Sequence, residues 1–533
     1  MNFLYYLRKK WKLTSVIILL NILEQFCVVF WGFSTAKLIT NISGKNINEF
    51  RFWLILMIAD ITIWIFEIYL KKIYYQKWVQ ETNIEIRKDI TKKLLNTDYK
   101  EYVKKDTGAY ISWLTNDISM INDYGFDVLN YVIGQVISII FSVIATVYFN
   151  FSILFTMIIL AIFVINAPKL FKKKVQSEME KVSIENENLT NDLTDIFNGY
   201  EDLKFLNLED YMINRVERSS RKLARQRYIY ADISGKMSSV VNGTSLVSQV
   251  ILFSQTAYLF FYGLLPIGAI SGIQYFSALI FSGLTGLSAN LLEMKAVNPI
   301  FKKFDNIIES KSIELLKINS SLNNSIDFKN INFRYGNNTK ILNNFSYNFE
   351  KGKKYVIIGD SGKGKTTLLN ILIGKLENYD GDIMWDNKNI KEINKDSIRN
   401  KIIYLNQNPH IFNASIKENI LLSENISIDR LNKVIKDVGL EPWIKTLPDG
   451  INTIIKMNGK NISGGQKQRI VIARGLLRNK DIILLDESTS SLHNEAAVEI
   501  EKMIFSNNDL TVIMVTHLLR EEIKNMIDDI IKM

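Results

Sequence analysis

One octapeptide of the sequence has the residue types and the spacing of a phosphate-binding loop. Gly359–Thr366 reads Gly-Asp-Ser-Gly-Lys-Gly-Lys-Thr, follows the β-branched run Tyr355–Ile358 and precedes a helical pattern. Glycines let the backbone approach phosphate oxygens closely, and the N–H groups at a helix start attract anions. Lys365 can reach the β- and γ-phosphates of a nucleotide, and the hydroxyl of Thr366 can bind Mg²⁺. The predicted nucleotide-binding residues of this segment are Gly359, Ser361, Gly362, Gly364, Lys365, Thr366 and Thr367.

Polar residues at the ends of two further strands favour a nucleotide site over a glycine-rich turn that binds nothing. The apolar run Ile482–Leu485 leads into Asp486 and Glu487. An acid at a strand end beside a phosphate loop is a partner for Mg²⁺, and the next carboxylate can activate water as a general base. The strand-like run Thr511–Val515 is followed closely by His517, which could bond a γ-phosphate or have a structural role. These residues predict nucleotide hydrolysis, with Asp486 at the metal and Glu487 and His517 in catalysis.

A second anion-binding segment lies between the phosphate loop and the acidic strand end. Asn461–Gln466 reads Asn-Ile-Ser-Gly-Gly-Gln and opens a helix predicted to run to about Leu477. One phosphate site does not need two such devices, so a two-fold dimer would let this segment close on the nucleotide of the other subunit. The candidate binding residues of this segment are Ser463, Gly464, Gly465 and Gln466.

Six apolar stretches in the first half are long enough to cross a bilayer, which needs about 20 residues per helix. They comprise residues 13–34, 52–70, 126–149, 151–167, 239–262 and 267–287. Buried helices of a large soluble protein are the alternative interpretation. Six stretches of near-membrane length within one half of the chain favour a membrane domain instead.

Charge and composition agree with a membrane protein. The 533 residues include 65 Lys and Arg against 55 Asp and Glu, a net charge of +10, and a single cysteine, Cys27, which excludes an intrachain disulfide. The basic residues concentrate before the first span, in residues 71–105 and in residues 169–227. Because an excess of Lys and Arg marks cytoplasmic loops, we predict a multi-pass protein of the cytoplasmic membrane with both termini in the cytosol. This topology explains the positive charge without nucleic acid.

Three acidic residues, Glu24, Asp60 and Glu67, lie inside the predicted spans. Asp60 and Glu67 are seven residues apart and therefore share one helix face. A carboxylate within a bilayer usually faces a cavity or a partner on a neighbouring helix. One interpretation is an acidic wall of a substrate cavity that favours cations; the other is a position near a span end or an ion pair between helices.

A polar, Asn- and Ser-rich segment separates the apolar half from an α/β pattern. We therefore expect a membrane domain of six helices with long cytoplasmic extensions over residues 1–310, a linker over 311–324, and a nucleotide-binding domain over 325–533. Short β-branched runs that alternate with helical patterns indicate an α/β P-loop NTPase in the last of these.

The joint set of motifs resembles the ATP-binding cassette (ABC) transporters, and in particular the exporters that fuse both domains in one chain. The resemblance rests on Gly359–Thr366, Ile462–Gln466, Asp486 with Glu487, and His517, and it extends over nearly the whole chain. It implies an ABC ATPase domain with ATP and Mg²⁺ as cofactors. It also implies that Tyr335 stacks on adenine, unless it is a core aromatic, and that Gln407 contacts Mg²⁺ and the attacking water.

The mechanism implied by the resemblance is alternating access in a dimer embedded in membrane lipid. Each ATP would lie between the phosphate loop of one subunit and the Ser463 segment of the other. Since every main catalytic group is present in the chain, a homodimer is favoured, and a heterodimer with a sister subunit stays open. Three departures from the family pattern concern Lys363 in the phosphate loop, His493 where the family has Asp, and Lys456–Gly459, which lacks the usual Glu.

The sequence leaves the transported substrate open. We expect ATP-driven export of a peptide or a small amphipathic compound, with ATP hydrolysis coupled to transport. The alternatives are a lipid flippase of the same architecture and a regulatory ABC protein with little turnover, which His493 mildly favours and Glu487 and His517 oppose. A soluble ATPase that acts on DNA is disfavoured by the six spans.

Overall fold

The computed structural model divides the chain into two units by its internal contacts. The first unit is Met1–Thr97 with Lys104–Glu309, and the second is Asp98–Val103 with Ser310–Met533. The residues that the structure describes are 2–97, 99–105, 107–305, 316, 322–335, 340–360, 362–406, 409–422, 426–478, 480–490 and 492–533.

Helices make up the described part of the chain before residue 306. They are α1 (Phe3–Lys9), α2 (Trp11–Ser43), α3 (Ile47–Leu95), α4 (Tyr99–Tyr102), α5 (Thr107–Leu114), α6 (Asn116–Ile121), α7 (Val128–Phe149), α8 (Phe151–Asn166), α9 (Lys172–Asn198), α10 (Tyr200–Phe205), α11 (Glu209–Phe261), α12 (Gly268–Glu293) and α13 (Val297–Asp305). A π-helical turn joins α6 to α7, so that one continuous helical segment carries the third span.

Six of these helical segments are long and apolar enough to cross a membrane, which confirms the six predicted spans. The two longest helices, α3 with 49 residues and α11 with 53, are far longer than a bilayer requires. At a rise of about 1.5 Å per residue they reach about 74 Å and 80 Å, against a hydrocarbon core of about 30 Å. Both helices therefore continue well beyond the hydrocarbon core.

Small residues allow α12 to pack directly on α2. A Cβ atom added at Gly268 would lie 1.8 Å from the backbone oxygen of Ala36, and one at Gly32 would lie 2.3 Å from the ring of Tyr275. A side chain at Gly268 would push the two helices apart, and one at Gly32 would displace the ring of Tyr275. Close approach through small residues is the usual way in which membrane helices gain packing energy.

The second unit contains an α/β core, as the sequence predicts. The strands are β1 (Ser325–Arg334), β2 (Lys340–Glu350), β3 (Lys354–Ile358), β4 (Asp380–Trp385), β5 (Lys388–Asn389), β6 (Ile402–Leu405), β7 (Ala414–Ser415), β8 (Ile454–Ile455), β9 (Ile482–Asp486), β10 (Thr511–Thr516) and β11 (Asp529–Lys532). The helices are α14 (Lys365–Leu372), α15 (Lys395–Arg399), α16 (Ile416–Leu421), α17 (Ile428–Asp437), α18 (Glu441–Thr446), α19 (Gly464–Leu476) and α20 (Asn494–Phe505).

A parallel sheet brings the predicted strand ends together. Its strand order is β11-β3-β10-β9-β6, and each neighbouring pair is parallel. All residues of β9 and β10 are buried, as expected for strands covered on both faces. Because parallel strands end at the same sheet edge, the residues that follow β3, β9, β10 and β6 meet there. A separate antiparallel sheet has the order β2-β1-β4-β5.

Candidate functional site

The phosphate loop connects β3 to α14 through a backbone that only glycine adopts easily. Gly362 and Gly364 have φ angles of +83° and +90°. Gly364 is also the N-cap of α14, and a Cβ atom there would lie 2.7 Å from Leu342 and 2.9 Å from Ile341 of β2. The strand–loop–helix context predicted for this octapeptide is therefore present. Ser361 lies outside the described residues.

Lys365 is held inside the loop by neutral acceptors. Its side chain is buried, and its ammonium donates hydrogen bonds to the backbone oxygens of Gly359 at 2.7 Å and Asp360 at 2.9 Å. Since both acceptors are uncharged backbone oxygens, no carboxylate in these bonds competes with an anion bound to the loop. The second lysine of the loop, Lys363, is exposed.

The carboxylate of Asp486 receives one hydroxyl on each of its oxygens. Thr366, in the first turn of α14, donates to Oδ1 at 2.7 Å, and Tyr404, on β6, donates to Oδ2 at 2.8 Å. Burial and then the bond to Asp486 raise the pKa of Tyr404 well above its ordinary value, so the phenol stays a donor. A hydroxyl beside a carboxylate is the hard-oxygen donor set that suits Mg²⁺.

Glu487 and His517 face each other across the ends of adjacent strands. The Nε2 atom of His517 lies 2.6 Å from Oε1 of Glu487, and both side chains are partly exposed. Glu487 has a φ of +49°, in the left-handed region, while its N–H donates to the backbone oxygen of Val515 at 3.0 Å. Such a conformation in a residue other than glycine costs on the order of 1–3 kcal/mol and is typical of functional sites. The arrangement places an acid and a hydrogen-bond donor side by side beyond β9.

Tyr335 lies beside the first turn of α14. Its hydroxyl is 3.5 Å from Oγ1 of Thr367, and its ring meets Phe333 edge to face at 4.8 Å. The side chain is half exposed, so its ring is not a core aromatic of β1. Gln407, the remaining residue predicted for this site, lies outside the described residues.

The Ser463 segment forms a capped helix start, as its sequence predicts. Ser463 is the N-cap of α19; its hydroxyl accepts from the N–H of Gln466 at 3.3 Å, and the Gln466 side chain accepts from the N–H of Ser463 at 2.8 Å. Ser463 and Gly464 are exposed, and Gly465 is partly exposed. The first turn of α19 is therefore accessible to an anion.

A buried ion pair supports the segment between β9 and α20, and the sequence analysis missed it. Arg520 binds Glu501 at 2.5 Å, Glu501 also accepts a bond from Thr489, and all three side chains are buried. Burial raises the pKa of Glu501, which the bonds from Thr489 and Arg520 oppose. His493, the N-cap of α20, is exposed and makes no capping hydrogen bond. Glu501 and Arg520 carry no motif, and each is followed directly by another charged residue, Lys502 and Glu521, so no signal in the sequence distinguishes them.

Models of known protein families match both halves of the chain. The model of the ABC transporter transmembrane region matches residues 14–284, and the ABC transporter model matches residues 342–490. The chain belongs to the ABC transporter family.

Three relatives of this ABC transporter illustrate the range of the family. A Rickettsia typhi protein with the name export ATP-binding/permease protein is 32% identical over 76% of this chain and 72% of its own. An ATP-dependent lipid A-core flippase of Wigglesworthia glossinidia brevipalpis is 28% identical over 81% and 75%. A lacticin-481/lactococcin-DR transport/processing ATP-binding protein of Lactococcus lactis subsp. lactis is 31% identical over 57% and 44%. A bacterial Atm1-family ABC exporter solved with ATP bound has the same fold, with a TM-score of 0.78, 19% identity and coverage of 98% of this chain and 94% of that one.

These matches support an ATP-binding, ATP-hydrolysing transporter of the exporter type. The fused arrangement of a six-span membrane domain and an ABC ATPase domain, predicted from the motifs, is confirmed.

The membrane unit of this ABC transporter contains a polar cavity of about 310 Å³. Glu24 and Lys71 form an ion pair at its wall, and Lys71 also donates to Oδ1 of Asn21 at 2.9 Å. The side-chain amide of Asn21 donates in turn to Oδ1 of Asn130 at 2.9 Å. The cavity is lined by Asn21, Glu24, Gln25, Lys71, Asn130, Tyr131, Gly134, Gln135, Ser138, Leu279, Ser282 and Gly283.

The structure separates the three acidic residues that the sequence places in the spans. Glu24 lines the cavity, whereas Asp60 and Glu67 are buried on α3 and are not among the lining residues. Within the described residues, neither carboxylate oxygen of Glu67 has a hydrogen-bond partner, and Oδ2 of Asp60 has none. The cavity wall therefore holds one acid, already paired with Lys71, while a second acid lies four residues before that lysine.

Proposed function

We propose that this ABC transporter uses ATP hydrolysis to export a peptide or a small amphipathic compound across the cytoplasmic membrane by alternating access of a dimer. The Lys and Arg residues concentrate in the long segments between spans, which favours a cytosolic position for both termini and for the nucleotide-binding domain. We place the domain boundaries at residues 310 and 325, around the polar linker.

The observation that carries the proposal is the contact between Glu487 and His517 beside the Thr366–Asp486 pair. Lys365 would hold the β- and γ-phosphates, and Tyr335 would stack on adenine. Mg²⁺, bound by Thr366, Asp486 and Gln407, would neutralise charge on the phosphates. Glu487 would accept a proton from the attacking water as general base. His517, which already contacts that carboxylate, would hold both Glu487 and the γ-phosphate.

A homodimer would complete each nucleotide site. The first turn of α19, with Ser463, Gly464, Gly465 and Gln466, is accessible, so this segment could bind the nucleotide of a second copy. Since one chain carries every group named above, no sister subunit is needed for catalysis.

We expect the substrate to carry a cationic group. Glu24 and Lys71 form an ion pair at the cavity wall, and Glu67 lies four residues before Lys71 on α3, so two carboxylates would stand against one ammonium if both acids are ionised. The amide side chains of the wall offer further hydrogen bonds to a peptide-like molecule. Lipid transport is the second candidate, and the relationship to a lipid A-core flippase favours it. A regulatory protein with little turnover is the third.

The test of the catalytic proposal is the turnover of Mg-ATP by the purified chain in lipid. We expect turnover that Glu487→Gln reduces to background while ATP binding persists. Wild-type turnover at the level of Glu487→Gln would contradict a self-sufficient homodimer. Turnover restored by His493→Asp would then assign the defect to that residue rather than to a missing partner chain.

The test of the substrate class uses one amphipathic peptide with free amines and the same peptide with acetylated amines. We expect stronger stimulation of ATPase activity by the cationic form, with the preference lost in Glu24→Gln and in Glu67→Gln. Glu49→Gln, at an exposed acid in the first turn of α3, is the matched control. Equal stimulation by both peptides, or by a lipid alone, would exclude the cationic class.

A further inference from the structure

Asp486 accepts hydrogen bonds from two hydroxyl groups, and the sequence motifs include Thr366 but not Tyr404. The Tyr404 hydroxyl comes from β6, 82 residues away along the chain, and binds Oδ2 at 2.8 Å, while Thr366 binds Oδ1 at 2.7 Å. The terminal torsion of an aspartate side chain is broad and is not determined by rotamer preference alone. A carboxylate bonded through one oxygen can still turn about this torsion, whereas one bonded through both oxygens is held in a single plane.

We propose that Tyr404 is a positioning residue for Mg²⁺: its phenol holds the Asp486 carboxylate in the plane that directs Oδ1 to Thr366. This inference rests on the proposed Mg-ATP site. The residue does not contact the nucleotide in this scheme and acts only through Asp486. Its removal should therefore weaken the contribution of the metal to nucleotide binding and leave metal-free binding unchanged.

The position of Tyr404 is itself well determined. Tyr404 pairs with Leu484 in the parallel register of β6 and β9, two residues before Asp486, so both side chains leave the same face of the sheet. The ammonium of Lys375 lies 4.2 Å from the centre of the Tyr404 ring. Lys375 follows α14, the helix that carries Thr366. The phenol is thus held from the side of β6 and from the side of the phosphate-loop helix.

The test is Tyr404→Phe in the full-length chain, which removes one oxygen and keeps the ring. The readout is the affinity for a fluorescent ATP analogue, measured in EDTA and across a titration of Mg²⁺. We expect the Mg²⁺ concentration that gives half of the affinity gain to rise about three- to tenfold, which is the range of the net contribution of a typical hydrogen bond. Affinity in EDTA should stay within about twofold of wild type.

Tyr379→Phe is the matched control, because the Tyr379 hydroxyl is buried in the same unit and has no hydrogen-bond partner among the residues described. It should leave the Mg²⁺ requirement unchanged.

Two results would overturn the inference. One is a Mg²⁺ requirement of Tyr404→Phe equal to that of wild type; the other is a loss of affinity in EDTA as large as the loss in Mg²⁺, which would indicate a general structural role. A wild-type affinity that does not depend on Mg²⁺ at all would instead overturn the proposed metal site, and with it the role of Tyr404.

Discussion

Replacing Gly364 by alanine tests whether the phosphate loop depends on the backbone and contacts seen at this position. The residue has a φ of +90°, where an L-residue is disfavoured by about 1–2 kcal/mol. The added Cβ would lie 2.7 Å from Leu342, 2.9 Å from the side chain of Ile341 and 3.1 Å from its backbone oxygen. Overpacking of this kind costs about 1–3 kcal/mol. We therefore expect Gly364→Ala to destabilise the nucleotide-binding unit by about 2–5 kcal/mol.

Gly362→Ala is the matched control for backbone strain without the contacts. Gly362 has a φ of +83°, and no described atom lies within 4 Å of a Cβ built there. Only the strain of about 1–2 kcal/mol should remain. The difference between the two variants isolates the contact of the loop with β2.

The assay is thermal unfolding of the full-length protein in detergent, followed by intrinsic fluorescence. With about 2–4 °C per kcal/mol for a unit of this size, Gly364→Ala should unfold about 4–20 °C below wild type, and Gly362→Ala about 2–8 °C below. Equal shifts in the two variants would refute the reasoning, because the contact with β2 would then contribute nothing. A Gly364→Ala protein with wild-type stability would refute the backbone argument as well.

Three further predictions concern the residues around the strand ends. His517→Ala should lower ATP turnover by about 10²–10³-fold, because a charge-stabilising donor is lost, with little change in ATP affinity; a near-wild-type rate would exclude the proposed role. Arg520→Met should destabilise by about 3–5 kcal/mol because it leaves Glu501 buried without a cation, and adding Glu501→Gln should recover most of that loss in a thermal unfolding series. A double variant no more stable than Arg520→Met would contradict this account. His493→Asp should stabilise by about 1 kcal/mol, since aspartate at an N-cap accepts a bond from the first turn of α20; an unchanged or lower unfolding temperature would argue against it.

The strand ends of the nucleotide site could be predicted because their signals are local. Tyr355–Ile358, Ile482–Leu485 and Thr511–Val515 are continuous apolar runs, which is typical of parallel strands buried on both faces. The residues that follow them meet at one sheet edge in any right-handed parallel arrangement. The contact between Glu487 and His517 follows from this rule and from the adjacency of β9 and β10.

The six spans were predicted for a similar reason, since the length of an apolar stretch and the lack of charge within it are properties of the sequence alone. The sequence alone predicted only part of the arrangement of the acidic residues within the spans. The spacing of Asp60 and Glu67 places them on one face of α3, but the face itself is set by the helices that pack against it. Packing buries both of them and leaves Glu24 at the cavity, paired with Lys71 from 47 residues away.

The sequence by itself thus determined the chemical groups of the nucleotide site and the helices and strands that carry them, because each motif and each element consists of residues close together in the chain. The motifs in turn indicated the family. Only the tertiary structure decided which side chains distant in the chain contact one another. Tyr404 meets Asp486 through the register of β6 and β9, and Arg520 meets Glu501 through the packing of α20 against the segment after β10. Such pairs join residues distant in the chain, and the register and packing that unite them arise from the whole core rather than from any local pattern.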